Sequence, residues 1–411
     1  MKRIIFLLIL PVMAHAAGTD WSNALFDRRG PRAALGNPAY LAEETSTAMG
    51  FEFAGLGVTA SNNSFSVRFW NSRIAGDEFW DGSDTWAILK RIPAGGFSLA
   101  ADVDVPVLGV RYRNFALNAG ALAVAHANVP KSVAEIALAG SNLDTEYSLD
   151  DLIGQSLAMT DASLAYGHAI PQNYLPELSA GVAVHYYRGL VYTDTRNSTA
   201  GFEVTDNLIS GSGQFQNIVA TDGSGLGADF GVAATLTPDG KWKAGLAVQG
   251  IGAVMRWRVN ETQTAHFATS IAGVNLDSLD KDGYGDRVLS HDDSTIKGGQ
   301  THLTLPMTVR MTGEYEALEN LRVAGIVDAL TSDSPLGEKG LEAGVASEYM
   351  PVRWAAFDGG ILLGGEHGSL FSMGAGLRFR NYEMDLNFSS AGGLGTYAHG
   401  AGVAFSQRFF L

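Results

Sequence analysis

A chain of 411 residues without cysteine excludes a disulfide framework and thiolate metal sites, so backbone pairing and packing must hold it. A formal net charge of -15 argues against nucleic acid or an anionic surface as the main partner. No apolar run beyond the first residues is long enough for a spanning helix, so a membrane form of this chain must be a closed barrel, in which every backbone polar group finds a partner.

The first residues read as an export signal. Lys2 and Arg3 precede an apolar run from Ile4 to Leu10, and Ala14-His15-Ala16 gives the small-x-small pattern of a cleavage site before Ala17. The expected organisation is a signal peptide over 1–16, an N-terminal segment over 17–45 and a barrel over 46–411. From Trp21 to Glu44 the chain mixes Trp21, Leu25 and Phe26 with Asp27, Arg28, Arg29 and Arg32, a composition suited to lodging among charges inside a barrel.

Beyond residue 46 the sequence alternates. Phe97, Leu99, Ala101, Val103 and Val105 oppose Ser98, Ala100, Asp102 and Asp104, and Leu178, Ala180, Val182, Val184 and Tyr186 oppose Ser179, Gly181, Ala183 and His185. Leu303, Leu305, Met307, Val309 and Met311 face one way, with Thr304, Pro306, Thr308 and Arg310 on the other. Phe371, Met373, Ala375, Leu377 and Phe379 alternate with Ser372, Gly374, Gly376, Arg378 and Arg380. Period-2 alternation over about 10 residues is the mark of a tilted strand crossing a membrane.

About fourteen strands are predicted, near 47–60, 97–112, 114–127, 155–169, 177–195, 224–237, 242–258, 302–316, 321–331, 340–349, 352–364, 369–380, 382–390 and 399–411. Turns after the even-numbered strands are short, and connections after the first, third, fifth and seventh are long. That asymmetry is the pattern of outer-membrane barrels, with short periplasmic turns and longer extracellular loops. The expected fold is thus an all-β, up-and-down antiparallel transmembrane barrel, lipid outside and hydrophilic within. Lumenal charges are expected at Arg310, Arg378, Arg380, Glu383 and Asp385.

Two loop helices are predicted, one through Asp84, Trp86, Ile88, Leu89 and Ile92 and stopped by Pro93, the other from Pro130 to Ala139 with Gly140 behind. Trp80, Trp86, Leu89, Ile92, Val133 and Ile136 would form either a lid of packed helices or a hydrophobic capture groove at the mouth. Pro106 interrupts the second strand and marks a bulge, or a gap through which an apolar ligand moves sideways into the bilayer. Asp280, Asp282 and Asp286 flank a glycine turn and offer oxygen ligands of the kind calcium takes. Ser278 in the first EF-hand ligand position and the lack of a closing Glu leave a solvated acidic loop as the other reading. No other cofactor is expected. Histidines are scattered without triad or metal-ligand spacing, so the chain is not expected to be an enzyme, and His185 reads as a hydrogen-bonded lining residue.

Three stretches resemble the FadL-like, long-chain fatty-acid transporter superfamily of outer-membrane barrels, which also includes PorV-like secretion components. They are Leu35-Gly36-Asn37-Pro38-Ala39-Tyr40-Leu41-Ala42, Leu305-Pro306-Met307 through Arg310-Met311-Thr312-Gly313 to Tyr315, and Gly344 to Tyr349 with Gly374-Ala375-Gly376-Leu377-Arg378-Phe379 and Asp385. The middle, from Asn63 to Leu152, looks more like an uncharacterised branch. The resemblance implies fourteen strands, a lumenal hatch with Asn37, Pro38 and Ala39 as matching positions, and passage of hydrophobic molecules. The expected function is passive uptake of hydrophobic small molecules by a monomer in the outer membrane of a diderm bacterium. The alternative is a non-transporting partner barrel in protein secretion or surface attachment.

Overall fold

The computed structural model describes residues 20–43, 48–75, 82–140, 145–148, 150, 152–204, 208–272, 289–337, 339–365 and 368–411. Fourteen antiparallel staves close into one barrel. In chain order they are β1 (Met49–Phe53 and Leu56–Asn62), β2 (Phe97–Tyr112), β3 (Phe115–Val129), β4 (Ile153–Ala169), β5 (Glu177–Val204), β6 (Leu208–Thr235) and β7 (Trp242–Ala272). Then follow β8 (Leu289–Lys297, Gln300–Thr304 and Thr308–Leu318), β9 (Leu321–Leu330), β10 (Gly340–Val352), β11 (Ala355–Gly364), β12 (Ser369–Arg378), β13 (Tyr382–Ala391) and β14 (Gly400–Phe410). Closure runs from β14 onto both halves of β1, with Gly50 opposite Phe410 and Ser61 opposite Gly400. Leu411 completes the seam by exchanging backbone hydrogen bonds with Met49 at 3.0 and 3.2 Å.

Lipid is the reason the outer face looks as it does. Val182, Val184, Leu226, Phe230, Leu246, Met311, Val345, Met373 and Phe388 are exposed large apolar residues on staves from β5 to β13. Beside the short turns stand Tyr112, Phe115, Tyr166, Trp242, Tyr349, Trp354, Phe379 and Phe409, an aromatic girdle of the kind found where such barrels meet the interface. Toward the loop end the outer face turns charged: Arg188 and Arg258 both reach Asp222, at 2.8 and 3.2 Å. That row marks the upper limit of the apolar belt.

Two features depart from the expectations, and a third, at Pro106, agrees with the expected bulge. β5 and β6 continue as paired strands to Val204 and from Leu208, where a long loop was expected, and β7 and β8 are extended likewise. These four staves rise above the rim, and the short ribbon Thr145–Ser148 pairs onto β5 there. Above the belt both faces of this extension carry Thr, Ser, Gln and Gly, so it has no hydrophobic alternation to betray it.

The second departure lies in β8. Leu303 and Leu305 are buried in the lumen while Met311 faces lipid, so the series does not keep one face. Thr304 pairs with Val254 but Thr308 pairs with Gln249, a one-residue slip across Leu305-Pro306-Met307. Pro306 brings no N–H to the ladder, and opposite it Gly250 and Gly252 take left-handed φ angles of 71° and 67°. A slip of one residue exchanges the faces.

A similar irregularity sits at Pro106, where the β2–β3 register shifts between Pro106 and Leu108. The facing stave is broken there, at Ala54 (φ 50°) and Gly55. The Gly55 N–H reaches the Pro106 carbonyl at 3.0 Å, and a Cβ on Gly55 would stand 2.8 Å from Pro106 Cγ.

Candidate functional site

Residues 20–43 fill the turn end of the lumen as short helical pieces, Trp21–Ala24, Ala33–Gly36 and the 3-10 turn Pro38–Ala42. Asn37, in extended conformation, caps that last turn by accepting the Ala39 N–H at 2.9 Å, and Pro38 occupies the position whose N–H would have no partner. The same amide donates to the carbonyls of Val232 (3.1 Å) and Leu246 (3.3 Å), tying the segment to β6 and β7.

The wall receives this turn on glycines. Gly167, Gly181 and Gly231 stand in register on β4, β5 and β6. A Cβ on Gly181 would lie 2.3 Å from the Pro38 carbonyl carbon, and one on Gly231 would lie 1.9 Å from Asn37 Oδ1. Asn-Pro-Ala therefore sits where only bare backbone leaves room.

Ion pairs complete the attachment. Arg28 meets Glu314 at 2.9 Å and lies 3.6 Å over the Tyr40 ring, and Tyr40 Oη lies 2.6 Å from Thr312 Oγ1. Arg29 meets Glu383 at 2.7 Å, Arg32 pairs with Asp104, and Asp27 meets Arg408 at 2.6 Å. Burial pushes the Asp27 carboxyl up, but Arg408 and the Gly30 N–H outweigh it and hold the group below the usual carboxylate range.

Four of the five expected lumenal charges face this network. Arg310 forms a two-pronged pair with Asp328 at 2.9 and 2.6 Å, Arg378 meets Asp385 at 2.5 Å, Asp385 also pairs with Arg408, and Glu383 receives Arg29. Arg380 does not join them: its side chain is exposed at the turn, and its carbonyl accepts from Arg29 at 3.5 Å. His185 is buried to 5% exposure between Asp161 (3.0 Å) and Asp229 (2.9 Å), a lining position.

Above the hatch the lumen is not hydrophilic. Leu122, Leu157, Met159, Tyr187, Met255 and Trp257 join Leu303 and Leu305 in one apolar cluster on the inner face of β3–β8. Trp257, 1% exposed, packs against Tyr192 at 5.6 Å between ring centroids. Its ring fits over Gly189 and Gly223, whose Cβ atoms would come within 2.2 and 2.6 Å. Arg256 and Arg258 flank it on the outside. Alternation in Met-Arg-Trp-Arg-Val signals a strand here, and only the place of that stretch at the upper limit of the lipid belt shows that its apolar side is the inner one.

Between hatch and cluster lies a cavity of about 340 Å³. Leu122, Met159, Tyr187 and Leu305 form one part of its wall, and hatch residues such as Leu25, Arg28 and Ala33 form another.

At the mouth, the helices Gly82–Leu89 and Lys131–Ala139 pack on each other. Ile88 and Ile92 are buried with Phe65 and Phe69, and Leu89, Ala134 and Leu138 lie against them. This is a closed small core. Val133 and Ile136 are half-buried and Trp86 is 64% exposed, so an open groove lined by all these residues does not form. Trp80 and the acidic positions Asp280, Asp282 and Asp286 lie outside the described residues.

A profile described as a family of unknown function (DUF5723) matches residues 38–386. The chain belongs to this family. Among curated proteins no match was found. Solved structures similar to it include the Pseudomonas putida toluene transporter TodX, at 11% identity and a TM-score of 0.48 over 97% of this chain and 99% of that one. A FadL homologue from Pseudomonas aeruginosa gives 12% identity, a TM-score of 0.47, and 97% and 98% coverage. The monoaromatic hydrocarbon channel CymD gives 12% identity, a TM-score of 0.46, and 97% of each chain.

Proposed function

We propose that the chain is an outer-membrane channel for passive uptake of hydrophobic small molecules. The observation that carries this is the cavity of about 340 Å³ between an apolar inner wall and an anchored hatch. A porin for ions has no use for Trp257, Met255 and Leu303 turned inward, whereas a molecule poorly soluble in water gains from each such contact. Entry is from the loop end past the exposed rings of Trp70 and Trp86. Exit is sideways where Ala54-Gly55 and Pro106 interrupt neighbouring staves.

The experiment is uptake of a labelled neutral hydrocarbon by cells with an intact lipopolysaccharide leaflet, with and without the chain. Faster uptake with the chain is the expected result, and equal rates would remove the proposal. One observation favours the alternative, a partner barrel in secretion or surface attachment. The raised β5–β8 extension holds a polar hollow of about 850 Å³ lined by Glu146, Asp150, Glu203, Gln214 and His266, a surface suited to a protein. A stoichiometric partner retained through purification from native membranes, together with equal uptake rates, would favour that reading.

A further inference from the structure

The charge of the cavity lining bears on which hydrophobic molecules fit. Eight carboxylates and four guanidiniums line it among the described residues, so even with His185 counted as a cation the acids are in excess. None of those guanidiniums is free to take an anion. Arg28 is held by Glu314, Arg310 by Asp328, Arg32 by Asp104, and Arg408 by Asp27 and Asp385.

A second observation is independent of that excess. Glu52, on the lower half of β1, lines the cavity, is 2% exposed, and neither of its carboxylate oxygens has a hydrogen-bond partner among the described residues. Arg32 is 3.9 Å away and is pulled toward Asp104 and Asp20 as well. Arg408, across the seam from Glu52, is engaged by three other carboxylates. A buried carboxylate without donors costs free energy until a donor arrives.

We infer that the cavity selects hydrophobic molecules carrying an ammonium or other cationic head and discriminates against carboxylates, with Glu52 receiving the head group and the wall of Leu122, Met159 and Leu305 receiving the apolar part. This deepens the channel reading and rests on it. An alkyl carboxylate of the same length meets the same apolar wall but an unfavourable field, because the low-dielectric lumen screens like charges poorly. The acidic balance of the whole chain, at -15, acts in the same direction.

The test is displacement of the apolar fluorophore N-phenyl-1-naphthylamine from the full chain in nanodiscs by octylammonium, 1-octanol and octanoate, corrected for empty discs. Octylammonium is expected to displace at about tenfold lower concentration than octanoate, with octanol between, a ratio at the lower end of what a focused field produces. Octanoate matching or surpassing octylammonium overturns the inference and leaves the channel reading standing. If the fluorophore does not bind above the empty-disc level, the channel reading falls and this inference falls with it. In Glu52→Gln, checked for an intact barrel by heat-dependent gel migration, the ratio should shrink several-fold toward one, and an unchanged ratio overturns the assignment to Glu52. The wild-type series decides the sign of the selectivity without any variant.

Discussion

The lower and upper parts of the lumen are built by opposite rules. Below the Arg188–Asp222 row, the wall is apolar outside and charged inside, and the inner charges are spent on fixing the hatch. From that row upward, Arg256 and Arg258 point outward and Trp257 inward. One strand, β7, runs through both regimes. The side of a barrel strand that carries grease is set by which medium lies outside it: lipid draws apolar side chains out, and water sends them in.

If the lower part is an anchor and the upper part a chamber, substitutions in each should separate. Arg408→Ala removes the cation shared by Asp27, Asp385 and Glu383; Arg378 and Arg29 remain on the last two, and buried Asp27 loses its ion-pair partner among the described residues. The predicted loss is about 3 to 5 kcal/mol, read as a lower unfolding temperature in detergent. Gly181→Ala forces the Pro38–Ala39 backbone off the wall and is predicted to cost about 1 to 3 kcal/mol. Its readout is new protease cleavage within residues 20–43 while the staves stay protected. Cleavage no faster than in the parent chain would mean that the hatch is not seated on the glycines.

Trp257→Ala acts on the chamber alone. Uptake of a neutral hydrocarbon should change several-fold while hatch protection stays as it was, because Trp257 packs on Gly189, Gly223 and Tyr192 in a cluster that, among the described residues, holds no hatch residue. Loss of hatch protection in this variant would break the separation. Pro106→Val is the mildest: it restores a donor at the bulge and should slow sideways exit without altering ligand displacement. Unaltered uptake would count against an opening there.

The sequence made the lower region legible because lipid imposes period-2 alternation, as in Phe371 to Phe379 on β12, and because Arg378 and Asp385 then had nowhere to point but inward. The hatch was visible in Asn37-Pro38-Ala39, but its seat was not. Gly167, Gly181 and Gly231 come from three strands, and only the register brings them together. The turn in faces across Leu305-Pro306-Met307 was hidden for a related reason: a slip is a property of two paired strands, and Pro306 alone does not say that Gly250 and Gly252 stand opposite. The β5–β8 extension escaped notice because a strand wet on both faces leaves no periodic trace.

The most direct measurement is the density inside the lumen of the protein purified from its native membrane without added ligand. An elongated feature is expected between the hatch and Leu305, touching Leu122, Met159 and Tyr187, with residues 20–43 lodged below it. A chamber holding only ordered water, or a hatch segment lying outside the barrel, would contradict it.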